Sequence, residues 1–264
     1  MNANDLSMLS SRPRVEAMPH MRVLHAYLQE MRTELLRYLR NPGFLLPTLL
    51  FPTVFYVMFG VLMGRQGGPD AARYLLASYG TFGVMAPGLF GFGVSLAMER
   101  DSGLLTLKRA LPMPPLAYLI GKMAMAMCVA AVIMVLLMLL ATFAAHLALS
   151  PAQMLRLFAT GVFGVLPFCA LGLLVGTVIK GQGAPGLINM IYLPMAFLSG
   201  LWFPLTHMPK LQQLAPVWPS WHLDQLAMAA VGMGRGALLP HVLALAGYTA
   251  VFLWVAARRL RRNG

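Results

Sequence analysis

Only 11% of the 264 residues are charged while 59% are hydrophobic, and the hydrophobic residues gather in long uncharged runs, which excludes an ordinary water-soluble domain. The net charge of +12 is not carried on a polar scaffold, so a soluble nucleic-acid binder is excluded as well. The composition is that of an all-α integral membrane protein, its excess positive charge serving orientation.

Residues 1–20 are polar, punctuated by proline and without the apolar core of a secretory signal; they are expected to form a cytosolic tail. An amphipathic helix is predicted over 21–41. Leu24, Tyr27, Leu28, Met31, Leu35, Tyr38 and Leu39 share one helical face, and Arg22, Gln29, Glu30, Thr33, Arg37 and Arg40 share the other. Such a helix lies in the headgroup plane.

Residues 42–264 are expected to form a membrane domain of six transmembrane helices. The first runs from Phe44 to Met63 with Pro47 and Pro52 kinking it, and the second lies between Arg73 and Glu99. Gly80, Gly83, Pro87, Gly88, Gly91 and Ser95 give the second a small-residue stripe for close helix packing, matched by Gly172 and Gly176 on the fourth. The third begins near Met123 and turns at His146 to Pro151. The fourth lies between Arg156 and Lys180, the fifth spans about Ala184 to Phe203, and the sixth runs from Leu238 to Ala257. Cys128 and Cys169 both fall inside these apolar runs, where a thiol packs rather than bridges.

Two connections stand out. Residues 98–117 place Glu99, Arg100, Asp101, Lys108 and Arg109 between two spans, with Lys122 just beyond. Asp101 or Ser102 caps a short helix there, Leu104, Leu107 and Leu111 recur along it, and Pro112, Pro114 and Pro115 end it. Residues 200–236 are too rich in proline for one spanning helix and too apolar for a free loop; with Trp202, Trp218 and Trp221 they read as broken helices re-entering the outer leaflet. With the N-terminus inside, fifteen of the 20 lysines and arginines fall on the inner side, so both termini and the 98–117 loop are expected in the cytosol.

The search for chemistry is mostly negative. Gly121-Lys122 lacks the glycine and hydroxyl residue of a P-loop, so no cofactor site for nucleotide is expected in this chain. No carboxylate, lysine or arginine is expected deep in a span, which disfavours a secondary transporter. Ser199 and His241 invite comparison with an intramembrane protease of the rhomboid kind, but Phe197 stands where that motif needs glycine. His222 with Asp224, or the methionines Met123, Met125 and Met127, could contact a metal; surface hydrogen bonding and core packing are the favoured readings, and no metal site is assigned.

The amphipathic entry helix, the run Glu99-Arg100-Asp101-Ser102-Gly103 with Leu104, Leu107 and Pro112, the Tyr118-Leu119-Ile120-Gly121-Lys122 helix start, and the Gly200-Leu-Trp-Phe-Pro204 stretch with Pro209 together resemble the membrane subunits of ABC-2-type exporters. Leu105 stands where the family has threonine, and Leu111 precedes Pro112 where Ser or Thr is usual. The resemblance implies the membrane half of an ATP-driven exporter in the bacterial inner membrane, dimeric with itself or a related permease. ATP and Mg would be held by a separate ATPase subunit. The residues implied to couple to that ATPase are Glu99, Arg100, Asp101, Gly103, Leu104, Leu107, Lys108 and Arg109. Apolar, glycine-rich faces favour a lipid, a drug-like amphiphile or a hydrophobic peptide as cargo. A membrane enzyme of another class or a structural scaffold is the alternative.

Overall fold

The computed structural model describes residues 20–110, 114–234 and 236–262. The expected N-terminal tail, Pro112 and the side chain of Arg109 lie outside the described residues. Helix α1 (His20–Leu39) precedes α2 (Pro42–Phe55), which continues as a π-helical stretch through Tyr56–Met63. Helix α3 (Gly64–Gly88), broken near its start at Gly68 (φ 76°), widens into a second π stretch at Leu89–Val94 and runs on as α4 (Ser95–Asp101). Then come α5 (Leu104–Ala110), α6 (Pro115–Phe143), α7 (Pro151–Gly164), α8 (Leu166–Gly176), α9 (Ala184–Leu198), α10 (Pro209–Leu214), α11 (Pro219–Ala230) and α12 (Leu239–Arg262). Among the described residues there is no strand.

Among the described residues, five helical stretches are long and apolar enough to cross a membrane: Pro42–Leu62, Asp70–Asp101, Leu116–Phe143, Pro151–Gly176 and Leu239–Leu260. The expected fifth crossing is shorter than read from the sequence. Helix α9 has 15 residues, so it rises about 22 Å, against the roughly 30 Å of a hydrocarbon core. Six crossings are therefore not all present as full-length helices, because the chain turns at Ser199-Gly200, with Gly200 in the left-handed region at φ 80°. The stretch beyond it consists of short helices, α10 and α11, joined by tight turns.

The Asp70–Asp101 stretch is the central pillar and the most enclosed, with Leu76, Tyr79, Met85, Leu89, Phe92 and Leu96 buried. Its glycines do not form a single stripe. A Cβ on Gly83 would meet Ile133 and Pro52, one on Gly91 would meet Met125, and Gly80 has only ordinary contact with Met134. Gly88 instead faces the backbone of Phe168 and Cys169, and Gly172 and Gly176 rest on the carbonyls of Gly88 and Gly93, at 2.6 and 2.8 Å from where a Cβ would stand. Gly83 and Gly88, five residues apart, stand about 140° apart around the helix and so meet different neighbours.

Helix α7 starts with a capping box. Ser150 Oγ accepts from Gln153 N at 3.2 Å, and Gln153 Oε1 accepts from Ser150 N at 2.9 Å. Gln153 Nε2 also donates to the Val231 carbonyl, tying this helix start to the end of α11.

Candidate functional site: a buried charge cluster beneath α5

Helix α1 is amphipathic, but its buried edge is not the apolar one. Glu30, Glu34 and Tyr38, spaced four residues apart, face the protein, while Leu24, Leu28 and Leu39 are exposed. Glu30, expected on the wet side, faces inward with Glu34 because α5 and α6 present lysines to them. Lys108 of α5 donates to Glu30 Oε1 and to Glu34 Oε1, the latter at 2.8 Å. Lys122 of α6 donates to Glu34 Oε2 at 2.8 Å, to Glu99 Oε1 at 2.9 Å and to Ser95 Oγ at 2.7 Å. All three of its protons are used. Tyr118 donates to Glu99 Oε2 at 2.8 Å, and Arg37 reaches Glu99 Oε1.

Charge therefore does enter the span-length helices, but near their ends: Glu99 stands two residues before the end of Asp70–Asp101 and Lys122 six residues after the start of Leu116–Phe143. Helix α6 begins before Lys122 instead of after it, which carries the ammonium about 10 Å along the helix. Glu99 and Lys122 are both fully buried. The arrangement survives because every charge has an opposite partner. Burial alone would raise the Glu34 carboxyl, but Lys122 and Lys108 hold it below its ordinary value. Burial likewise opposes the charge on Lys108, and the two glutamates keep its ammonium above the usual lysine value.

Tyr118, Gly121 and Lys122 each have a structural job at one crossing. A Cβ on Gly121 would lie 2.9 Å from Glu30 Cγ, so the glycine sets how closely α6 approaches α1. Lys108 also stands 4.7 Å above the Tyr118 ring. Sequence reasoning singles out Glu99 and Lys108 but misses the roles of Glu30, Glu34, Tyr118, Ser95 and Lys122. The 30, 34, 38 spacing on α1 was the available signal.

The other loop residues separate into different tasks. Arg100 points back into the protein, donating to the carbonyls of Thr177 at 2.6 Å and Ile179 at 3.1 Å and so capping the C-terminal end of α8. Asp101 Oδ2 accepts from Gly181 N at 2.6 Å. Neither Asp101 nor Ser102 caps α5: Asp101 ends α4, and Gly103, at φ 75°, offers its carbonyl to Thr106 and Leu107. Leu104 and Leu105 are half-buried, while Leu107 is 66% exposed and points away from the protein.

No Ser–His pair forms at the Ser199-Gly200 turn among the described residues. Ser199 hydrogen-bonds Ser220, and His241 Nδ1 lies 3.0 Å from His222 Nδ1. His222 and Asp224 do not converge either, since Asp224 is buried against α3. Met125 is buried, and Met123 and Met127 pack against the same core.

An apolar groove of about 470 Å³ opens between α2 and α9 over α3, lined by Phe44, Pro47, Phe51, Phe82, Asn189 and Tyr192 among others. Tyr192 donates to the Phe82 carbonyl at 3.0 Å, which fixes one wall.

The family model described as ABC-2 type transporter matches residues 26–231, from the middle of α1 to the end of α11. The Bacillus subtilis (strain 168) protein named "Putative transport permease YvfS" is 30% identical over 235 residues, covering 87% of this chain and 94% of its own length. The match takes in every residue of the charge cluster, and the chain belongs to the ABC-2 type transporter family of membrane proteins.

Proposed function

We propose that this chain is the membrane-spanning subunit of an ATP-driven exporter and that α5, fixed by the buried charge cluster, receives the motion of a separate ATPase subunit. The observation that carries this reading is Lys108. It lies on the same short helix as the exposed Leu107 yet is anchored to two glutamates of α1, so a push on α5 moves α1 and, through Lys122, the central pillar. A flexible linker would not be tied this way. ATP and Mg belong to the ATPase partner, with both termini and α5 on the cytosolic side, and α9 with the turns after it completes a sixth crossing.

Two copies, or one with a related permease, enclose the pathway. Helix α2 leaves Leu46, Leu50 and Phe51 exposed beside the groove, and α9 leaves Leu187, Met190 and Leu193 exposed, an apolar face open to lipid or to a second subunit. The groove has the volume of a ligand site and few polar groups, favouring a lipid or drug-like amphiphile over a sugar chain. The test is co-reconstitution with a P-loop ATPase into vesicles, reading ATP-dependent movement of a fluorescent amphiphile. ATP hydrolysis without dependence on this chain, and no movement, would sink the reading.

A further inference from the structure

At the end of the molecule opposite the charge cluster, a second cavity of about 400 Å³ lies between the end of α2, the start of α3 and the turn after α6. Lys122 and Phe143 stand 21 residues apart on α6, so the cavity is about 32 Å from the cluster. Its walls are small and apolar: Gly60, Val61, Ala72, Ala144, Ala145 and Leu147. Arg73 and His146 are the two basic side chains among the lining residues.

Arg73 is underused. Its Nε is buried and has no hydrogen-bond partner among the described residues. The one carboxylate near it, Asp70, is 83% exposed and lies 3.9 Å from Nη1, too far for a hydrogen bond. The buried Nε is itself out of reach of a ligand, so what the cavity can use is the terminal part of the guanidinium, whose only neighbouring carboxylate among the described residues is the distant, exposed Asp70. His146 adds a second feature. It adopts φ 51° at the end of α6, in a turn closed by Leu147 N donating to the Ala141 carbonyl at 2.9 Å, a position where glycine is usual. The imidazole is exposed beside the cavity.

We propose that this cavity binds a phosphate group, with Arg73 supplying its planar donors and His146 a second contact, and with the apolar walls receiving whatever chain the phosphate carries. Arginine suits tetrahedral oxyanions because its N–H groups form parallel charge-assisted hydrogen bonds. The site is separate from the groove between α2 and α9 and does not depend on the transport reading.

The experiment uses the full chain purified in detergent and stripped of lipid. Phosphatidylglycerol or the phosphate-free diacylglycerol is added back, retained lipid is counted by native mass spectrometry, and inorganic phosphate is tested by thermal shift. Wild type should retain one more phosphatidylglycerol than Arg73→Gln and bind it about tenfold more tightly, the worth of one charge-assisted hydrogen bond, with no difference for diacylglycerol. Arg73→Lys keeps the charge without the fork and should fall between. His146→Asn tolerates the left-handed turn, so it reports on the site even where an Arg73 variant folds poorly. Phosphatidylglycerol retention without a thermal shift from inorganic phosphate identifies a lipid headgroup. A shift from inorganic phosphate in wild type, lost in Arg73→Gln, identifies the free anion. Equal phosphatidylglycerol retention by folded Arg73→Gln or His146→Asn and wild type, with no phosphate shift in either, overturns the site.

Discussion

The Lys122 ammonium lies 2.9 Å from Glu99 Oε1, and neither side chain is exposed at all. Because Glu34 sits 2.8 Å from the same nitrogen, one lysine from the third long helix joins the entry helix to the end of the central pillar. Lys122→Met would leave the three carboxylates Glu30, Glu34 and Glu99 to two cations, Lys108 and Arg37, so that one buried negative charge goes uncompensated, a loss of about 3–5 kcal/mol. Adding Glu34→Gln should restore part of that by removing one negative charge. Thermal unfolding of the single and double variants in detergent checks this; a double variant less stable than Lys122→Met would show that the pairing is not what holds the cluster.

The crossing of α1 on α6 depends on Gly121. With Glu30 Cγ only 2.9 Å from where a Cβ would stand, Gly121→Val must push α1 outward and stretch the Lys108 and Lys122 contacts to Glu30 and Glu34. A stability loss of about 1–3 kcal/mol is expected, with greater proteolysis of α1 in the folded protein. Wild-type stability and proteolysis would show that α1 does not dock as described.

Gly172→Leu should be more damaging than Gly80→Leu, since the first meets the Gly88 carbonyl at 2.6 Å while the second meets the flexible end of Met134 at 3.4 Å. Backbone cannot yield as a methionine can. Equal thermal stability of the two variants would contradict the packing of α8 on α3.

Much of this was legible in advance and the remainder has identifiable causes. Span-length apolar runs, the polar loop and the broken 200–236 region follow from composition and proline placement. The charge cluster did not, because an amphipathic pattern shows which residues share a face but not whether that face meets lipid or a buried lysine. Glu30 reads as wet, and Glu34 falls in neither face's pattern, until Lys108 and Lys122, far away in sequence, are brought to them. The start of α6 was placed too late for a related reason: Lys122 looks like a terminator when counted as an unpaired charge. Arg100 was read as a docking residue, yet its donors close the carbonyl end of α8, a tertiary contact that no local pattern announces.

A pH dependence is expected from Asp224. Burial pushes its carboxyl up to about 8, the nearby Ser78 hydroxyl opposing this only in part, and one carboxyl oxygen has no hydrogen-bond partner among the described residues. From the ordinary aspartate value up to about 8 the folded chain keeps a proton that the unfolded chain has lost. Stability therefore falls as pH rises through that window and levels off above it. Asp224→Asn removes the slope, so it should gain on wild type between about pH 5 and about pH 8. A difference in unfolding temperature that stays constant across this range would rule out the buried neutral acid.

The exposed leucine of α5 gives the most direct test of coupling. Leu107 is 66% exposed while its neighbour Lys108 is anchored to Glu30 and Glu34, so a change at 107 alters what α5 offers outward without disturbing how it is held. Leu107→Asp puts a carboxylate where an apolar contact with the ATPase is proposed. If that contact is desolvated, the affinity should fall by about 2 kcal/mol or more. Glu99→Ala behaves differently: Glu99 holds Lys122, Tyr118 and Arg37, so its loss should lower the stability of the chain itself before it affects partner binding. The two variants thus separate docking from folding. Leu107→Asp should keep wild-type thermal stability alone yet lose recovery of the ATPase on co-purification, whereas Glu99→Ala should unfold at lower temperature alone. Full recovery of the ATPase by a stable Leu107→Asp variant would show that α5 is not the docking element.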